Sequence, residues 1–193
     1  NQTKDYKNVI HTLDRLEQII GKNEQLSMEK FRIYLQMEDD KKAFQEIEKL
    51  AEEYPMDMRY LTLLGDLYLQ NGKKQEAYST YQKVLSIEPD NAMAMFALAS
   101  YYEQTGQKEL YQQQIDTFLL NNQVPSETRV NVMREFIVQA EQESKDSTRV
   151  IAMFDRMLRQ DPDDDQVPML YAQYLLSKGM EKESIPVLKQ VLQ

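Results

Sequence analysis

Cysteine and tryptophan are absent from this chain of 193 residues, histidine occurs once, and there are only five glycines and six prolines. Without cysteine there are no disulfides, no thiolate metal ligands and no cysteine nucleophile. A single histidine, His11, cannot supply a histidine-pair metal site, and any histidine triad would have to be built on it; it reads as a surface or partly packed side chain. No glycine-rich phosphate loop is present. The longest apolar run is the eight residues Ala92 to Ala99, against about 20 for a helix that crosses a bilayer. Direct membrane insertion is therefore not expected. Basic residues number 23 against 32 acidic, a net charge of −9, and such a chain is repelled by phosphate, which argues against nucleic acid as a partner. Lys41-Lys42 and Lys73-Lys74 sit beside Asp39-Asp40 and Glu76 and read as solvated turns.

Acidic chemistry is no better supplied. Asp161, Asp163, Asp164 and Asp165 form a run with the look of a calcium loop, but Ala172 stands twelfth from Asp161, where such a loop needs a bidentate glutamate, and the loop glycine is missing. A solvated turn whose carboxylates cap the next helix is the better reading. Paired carboxylates on helices lack the dry cleft that raises one of two pKa values for acid catalysis. No catalytic residue, metal site or cofactor is expected.

What is present is a pattern. Between Met58 and Asn91, Leu61, Leu64 and Tyr68, then Ala77, Tyr81, Val84 and Leu85, recur at the three-and-four spacing of one helical face. Asn71-Gly72-Lys73 separates the two segments with a residue suited to ending a helix, and Pro89 follows the second. The frame repeats after 34 residues: Pro55 and Pro89, Leu64 and Leu98, Tyr68 and Tyr102, Gly72 and Gly106.

A helix pair of this length with Leu64-Gly65, Tyr68, Ala77, Tyr81 and Pro89 resembles the tetratricopeptide repeat. Only the family's first-helix tryptophan is missing, with Leu61 in its slot. Small Gly65 and Ala77 allow close helix approach, and Tyr68 and Tyr81 fill the space beside them. The fold expected is all-α, a right-handed α-solenoid of helix-turn-helix hairpins with about four full repeats and an N-terminal half repeat.

In chain order, residues 1–23 read as the second helix of a truncated repeat, with Tyr6, Val9, Leu13 and Leu16 in frame. Repeats follow at 24–57, 58–91 and 92–125. In the first of these Lys30 stands where Leu64 does and Phe31 where Gly65 does; in the last, Tyr111 replaces the small Ala77, which predicts wider local spacing. Residues 126–164 form an irregular repeat, five residues longer than the unit, with a lengthened first helix from near Ser126 that frays over Glu143 to Ser147. Val130, Met133 and Ile137 fit one register of that helix, and Met133, Phe136, Ile137 and Ala140 another. Residues 165–193 are a truncated repeat. The whole is expected to be a single array, and the piece to have been part of something longer.

The resemblance also implies a function. In such proteins the first helices line a concave groove that holds an extended peptide or a partner helix. Carried over by slot, the lining is Met28, Arg32 and Leu35; Arg59, Thr62, Asp66, Leu69 and Gln70; Met93, Phe96, Ser100, Glu103 and Gln104; and Met169, Gln173 and Leu176. Family members that clamp a peptide carboxyl terminus use lysines and asparagines, which these slots lack. The expected role is a non-catalytic scaffold for a protein or peptide, apolar with basic flanks. The alternatives are a spacer, a module that self-associates through exposed terminal residues such as Ile185 and Val191, and a domain that presents substrate to an enzyme. Cytoplasm and bacterial periplasm both fit.

Overall fold

The computed structural model describes residues 2–143 and 147–191, with the side chains of residues 2–4 and 191 left out. The described residues form eleven helices and no strand, and they divide into two compact units, Asn1–Pro89 and Asp90–Gln193. The all-α class expected from the sequence is the one observed.

The first unit holds α1 (Gln2–Ile20), α2 (Glu24–Gln36), α3 (Asp40–Glu53), α4 (Met58–Gln70) and α5 (Lys74–Ile87). Here α2 pairs with α3 and α4 with α5 as antiparallel hairpins, α1 packs on α2, and α3 packs on α4. Polar caps start the first helix of each hairpin: the side chains of Asn23 and Asp57 accept from the backbone N–H of Gln25 and Arg59. Each hairpin turns through a left-handed residue. Gly72 has φ +74°, with its N–H donating to Leu69 O and the Lys73 N–H to Tyr68 O. Glu38, one repeat earlier, adopts φ +56° with the same pair of bonds, although it has a Cβ that disfavours the conformation. Ala43, Ile47, Ala77, Tyr81 and Val84 have no exposed surface and form the centre of this unit's core.

The second unit holds α6 (Ala92–Gln104), α7 (Lys108–Leu120), α8 (Ser126–Glu143), α9 (Thr148–Gln160), α10 (Gln166–Ser177) and α11 (Glu181–Val191). Hairpins α6–α7 and α10–α11 are closely paired; α7 reaches both α8 and α9, and α10 reaches both as well. α8 is 18 residues long where α6 has 13, so the extra length foreseen in this repeat is a longer helix. Its buried side chains are Arg129, Val130, Val132, Met133, Phe136 and Ala140. Ile137, common to both expected registers, is only half-buried, and Met133, Phe136 and Ala140 define the inward face. The expected fraying over Glu143 to Ser147 falls on residues 144–146, outside the described residues. The side chain of Val191, expected to take part in self-association, also lies outside the described residues.

Two cations occupy core positions. Lys30 is 3% exposed and donates to Asp14 at 2.7 Å and Glu17 at 2.5 Å, tying α2 to α1. Arg129 is 1% exposed; its Nη2 reaches Asp161 at 2.5 Å and Asp164 at 2.7 Å. Asp164 also accepts from the Ser126 hydroxyl and from the backbone N–H of Gln166 and Val167, so it caps α10 as the sequence predicted. The turn is only partly solvated: Asp163 and Asp165 are exposed, whereas the Asp164 side chain is enclosed and held by a buried guanidinium.

Candidate functional site

In the first unit four of the eight residues expected on the lining are already satisfied within the unit. Arg32 pairs with Glu29 at 3.2 Å. Arg59 reaches Asp57 at 2.6 Å and Glu24 at 3.5 Å. Hydrogen bonding to Arg59 holds the Asp57 carboxyl below its ordinary range, and the same contacts push the Arg59 guanidinium up. Thr62, expected on the lining, is 1% exposed and donates its hydroxyl to Met58 O; it belongs to the interior of the helix packing and presents no surface to a partner. Asp66 is half-buried and accepts from the Tyr81 hydroxyl at 2.7 Å. Burial pushes the Asp66 carboxyl up, and the Tyr81 bond only partly offsets it. Met28 and Leu69 are half-buried, whereas Leu35 and Gln70 are exposed.

The second unit is more open. Met93 is 56% and Phe96 42% exposed, so neither is packed away against a neighbouring helix. The Phe96 ring meets the buried Phe118 edge-on at 6.3 Å between centroids, which fixes its position while one side stays bare. Phe96 borders two cavities. One, of about 460 Å³, is mainly apolar and lies among Met93, Phe96, Phe118, Pro125, Val132 and Glu135. The other, of about 520 Å³, is floored by Ala99, Tyr111 and Ile115, with Phe96, Ser100 and Glu103 from α6 on one side and Arg134, Glu135, Val138, Gln139 and Gln142 from α8 on the other.

No Cα of α6 lies within 8 Å of one in α8, and α7 touches both. Tyr111 stands on α7 where the preceding repeat has Ala77, and its ring lines the resulting space with its hydroxyl 3.4 Å from Gln139 Oε1. Burial raises the Tyr111 hydroxyl pKa, and the charges of Glu103 and Glu135 raise it further.

Of the residues expected on the lining, the structure thus brings Met93, Phe96, Ser100 and Glu103 to these cavities. Gln104 is exposed beside them, outside both linings. Met169, Gln173 and Leu176 form an exposed ridge on α10, also outside both. The α8 wall is what the sequence reading missed. Its signal was Val138, an apolar residue with Arg134, Glu135 and Gln142 at helical spacing around it, obscured by two overlapping registers. Among the described residues no group of three or more acidic or histidine side chains is arranged to hold a metal ion, and no helix is long and apolar enough to cross a membrane.

Family models described as "Tetratricopeptide repeat" match residues 59–91 and 80–113. No curated protein matches the chain. Among solved structures, a tetratricopeptide repeat protein from Parabacteroides merdae is 14% identical, the match covering 98% of this chain and 72% of that one with a TM-score of 0.55. The MamA RS-1 ArsTM double mutant is 15% identical over 87% of this chain and 92% of its own, with a TM-score of 0.50. A further MamA structure is 12% identical, with 99% and 89% coverage and a TM-score of 0.46. At such identities the likeness is one of fold. Two overlapping repeat matches, together spanning residues 59–113, on a chain whose described helices include the hairpins α2–α3, α4–α5, α6–α7 and α10–α11, show tetratricopeptide repeats in this protein.

Proposed function

We propose that the chain is a non-catalytic scaffold that captures a peptide or a partner helix along the α6–α8 face of its second unit. The observation that carries this reading is Phe96, an aromatic left 42% exposed at the meeting of two cavities and backed by Phe118. Covering the bare parts of Phe96 and Met93 is worth on the order of 1 kcal/mol each, since full burial of such a side chain yields about 1.5–3 kcal/mol. The surrounding Ser100, Gln139 and Gln142 supply hydrogen-bonding groups that orient a backbone. The test is the double variant Met93→Ala, Phe96→Ala. Its helix content should equal that of the parent while peptide capture weakens; unchanged capture overturns the reading.

A second reading, self-association, draws on a different surface. On α1, Val9, Leu16, Ile19 and Ile20 are exposed, Ile19 at 77%, and Ile185 on α11 is 53% exposed. Sedimentation would then reveal a concentration-dependent dimer that Ile19→Lys or Ile185→Lys abolishes. The α6–α8 face is preferred because it offers concave volume as well as apolar surface.

A further inference from the structure

The carboxylates around the second unit are not all alike. Glu143 is shared by Lys108 at 3.0 Å and Arg149 at 3.1 Å, Asp116 pairs with Arg156 at 2.9 Å, and Glu141 with Lys178 at 2.6 Å. Glu103 and Glu135 have no ion-pair partner among the described residues, and both line the larger cavity from opposite helices. Tyr111 lies between them on the floor, and its hydroxyl feels both charges. One cation, Arg134, is on the lining; it is exposed, and it is not among the charges that act on the Tyr111 hydroxyl, whereas Arg149, partnered to Glu143, is.

We propose that the larger cavity seats a lysine or arginine side chain of the bound peptide, its cationic head between Glu103 and Glu135 and its methylene stem on Tyr111 and Ile115, while an apolar residue of the same peptide covers Phe96 and Met93 in the adjoining cavity. This rests on the scaffold reading above and specifies its ligand. An aromatic ring beneath two carboxylates is a natural seat for a cation with an apolar stem. Two unpaired carboxylates against one guanidinium leave the lining net negative, and the chain's charge of −9 favours the approach of a basic segment. The spacing follows from the helix. Phe96 and Glu103 are seven residues, roughly 10 Å, apart along α6 at about 1.5 Å per residue. An extended peptide covers that distance in about three residues, so the basic residue sits about three positions from the apolar anchor.

Short fluorescein-labelled, serine-rich peptides carrying a Leu-Phe pair and, about three positions on, an arginine, a glutamine or a glutamate test this by fluorescence anisotropy at low salt. The arginine peptide should bind roughly tenfold more tightly than the glutamine peptide, and the glutamate peptide more weakly than either. In Glu103→Gln, Glu135→Gln the arginine peptide's advantage over the glutamine peptide should vanish. Equal binding of arginine and glutamine peptides to the parent, or a preference that survives in the double variant, overturns the cation seat. Binding of the glutamine peptide that is indifferent to Met93→Ala, Phe96→Ala overturns the scaffold reading instead. Failure of all three peptides to bind, or their exclusion by a dimer formed through this face, overturns both.

Discussion

Gly65 and Tyr81 share one notch in the α4–α5 hairpin: a Cβ added to Gly65 would lie 2.5 Å from Cε1 of Tyr81 and 2.9 Å from its Cδ1. The ring has no exposed surface and its hydroxyl is fixed on Asp66, so it cannot swing away without losing that bond. Gly65→Ala should therefore cost about 1–3 kcal/mol through overpacking, and Gly65→Leu more. Urea denaturation measures the loss. Tyr81→Phe, which keeps the ring and drops the hydroxyl, should cost less than Gly65→Leu. An unchanged midpoint for Gly65→Ala would refute this placement of the two helices.

Glu38 offers a gain in stability. It holds φ +56° at the turn where Gly72 and Gly106 hold +74° and +73°. Its backbone bonds match those of the glycine turns, so a glycine fits without rearrangement. Glu38→Gly should stabilise the chain by about 1 kcal/mol, the relief of a left-handed side chain. Gly72→Ala, into open space but at the same strained φ, should lose a similar amount of about 1 kcal/mol. Thermal midpoints moving in the same direction for both variants would contradict this account.

Asp164 predicts an acid sensitivity. Burial alone would raise its pKa, but the Ser126 hydroxyl, the Val167 and Gln166 amides and the Arg129 guanidinium together hold it below the ordinary value. A carboxyl depressed in the folded state contributes stability that is fully present above its unfolded pKa, near about 4, and is lost as pH falls through the folded value. Asp164→Asn should lower stability at neutral pH by about 3 kcal/mol, since it leaves the Arg129 charge poorly compensated. It should also flatten the acid limb. Denaturation across the acid range shows whether the limb depends on this residue.

Lys30 predicts the opposite limb. Burial lowers its pKa, but bonds to Asp14 and Glu17 outweigh burial and raise it overall. Its contribution is complete below the unfolded value of about 10 and is lost as pH rises through the folded one. Lys30→Leu, which restores the apolar residue found at Leu64, should fall within about 1 kcal/mol of the parent or be more stable, because a buried ion pair often gains little over hydrophobic packing. Removing both partners, Asp14→Ala with Glu17→Ala, leaves the buried ammonium uncompensated and should destabilise by roughly 3–5 kcal/mol. The alkaline midpoint distinguishes these outcomes.

The hairpins were legible because their determinants are local and periodic: Gly65, Ala77 and Tyr81 stand within one repeat, and the turn glycines recur at fixed intervals. What escaped was set at longer range. Arg129 occupies the slot of Leu61 and Met95, and its partners Asp161 and Asp164 lie more than thirty residues on, where an acidic run reads most simply as solvated. Thr62 is a polar residue that the repeat resemblance assigns to the groove lining. Its hydroxyl is satisfied within its own helix, and burial therefore costs it little. The cavities depend on how α6 and α8 stand apart across α7, and Tyr111, from which wider spacing was expected, lines that space in a hairpin that stays closely paired.

The irregular repeat acquires its meaning from α8. Aligned with α6 at their first turns, residues 139–143 are the surplus, a turn and a half of helix with no counterpart in the shorter unit. Gln139 and Gln142, which close one side of the larger cavity, belong to that surplus. An insertion that looks like decay of the repeat has thus become depth, and trimming the chain back to the regular period would leave a shallow shelf where a recess now stands.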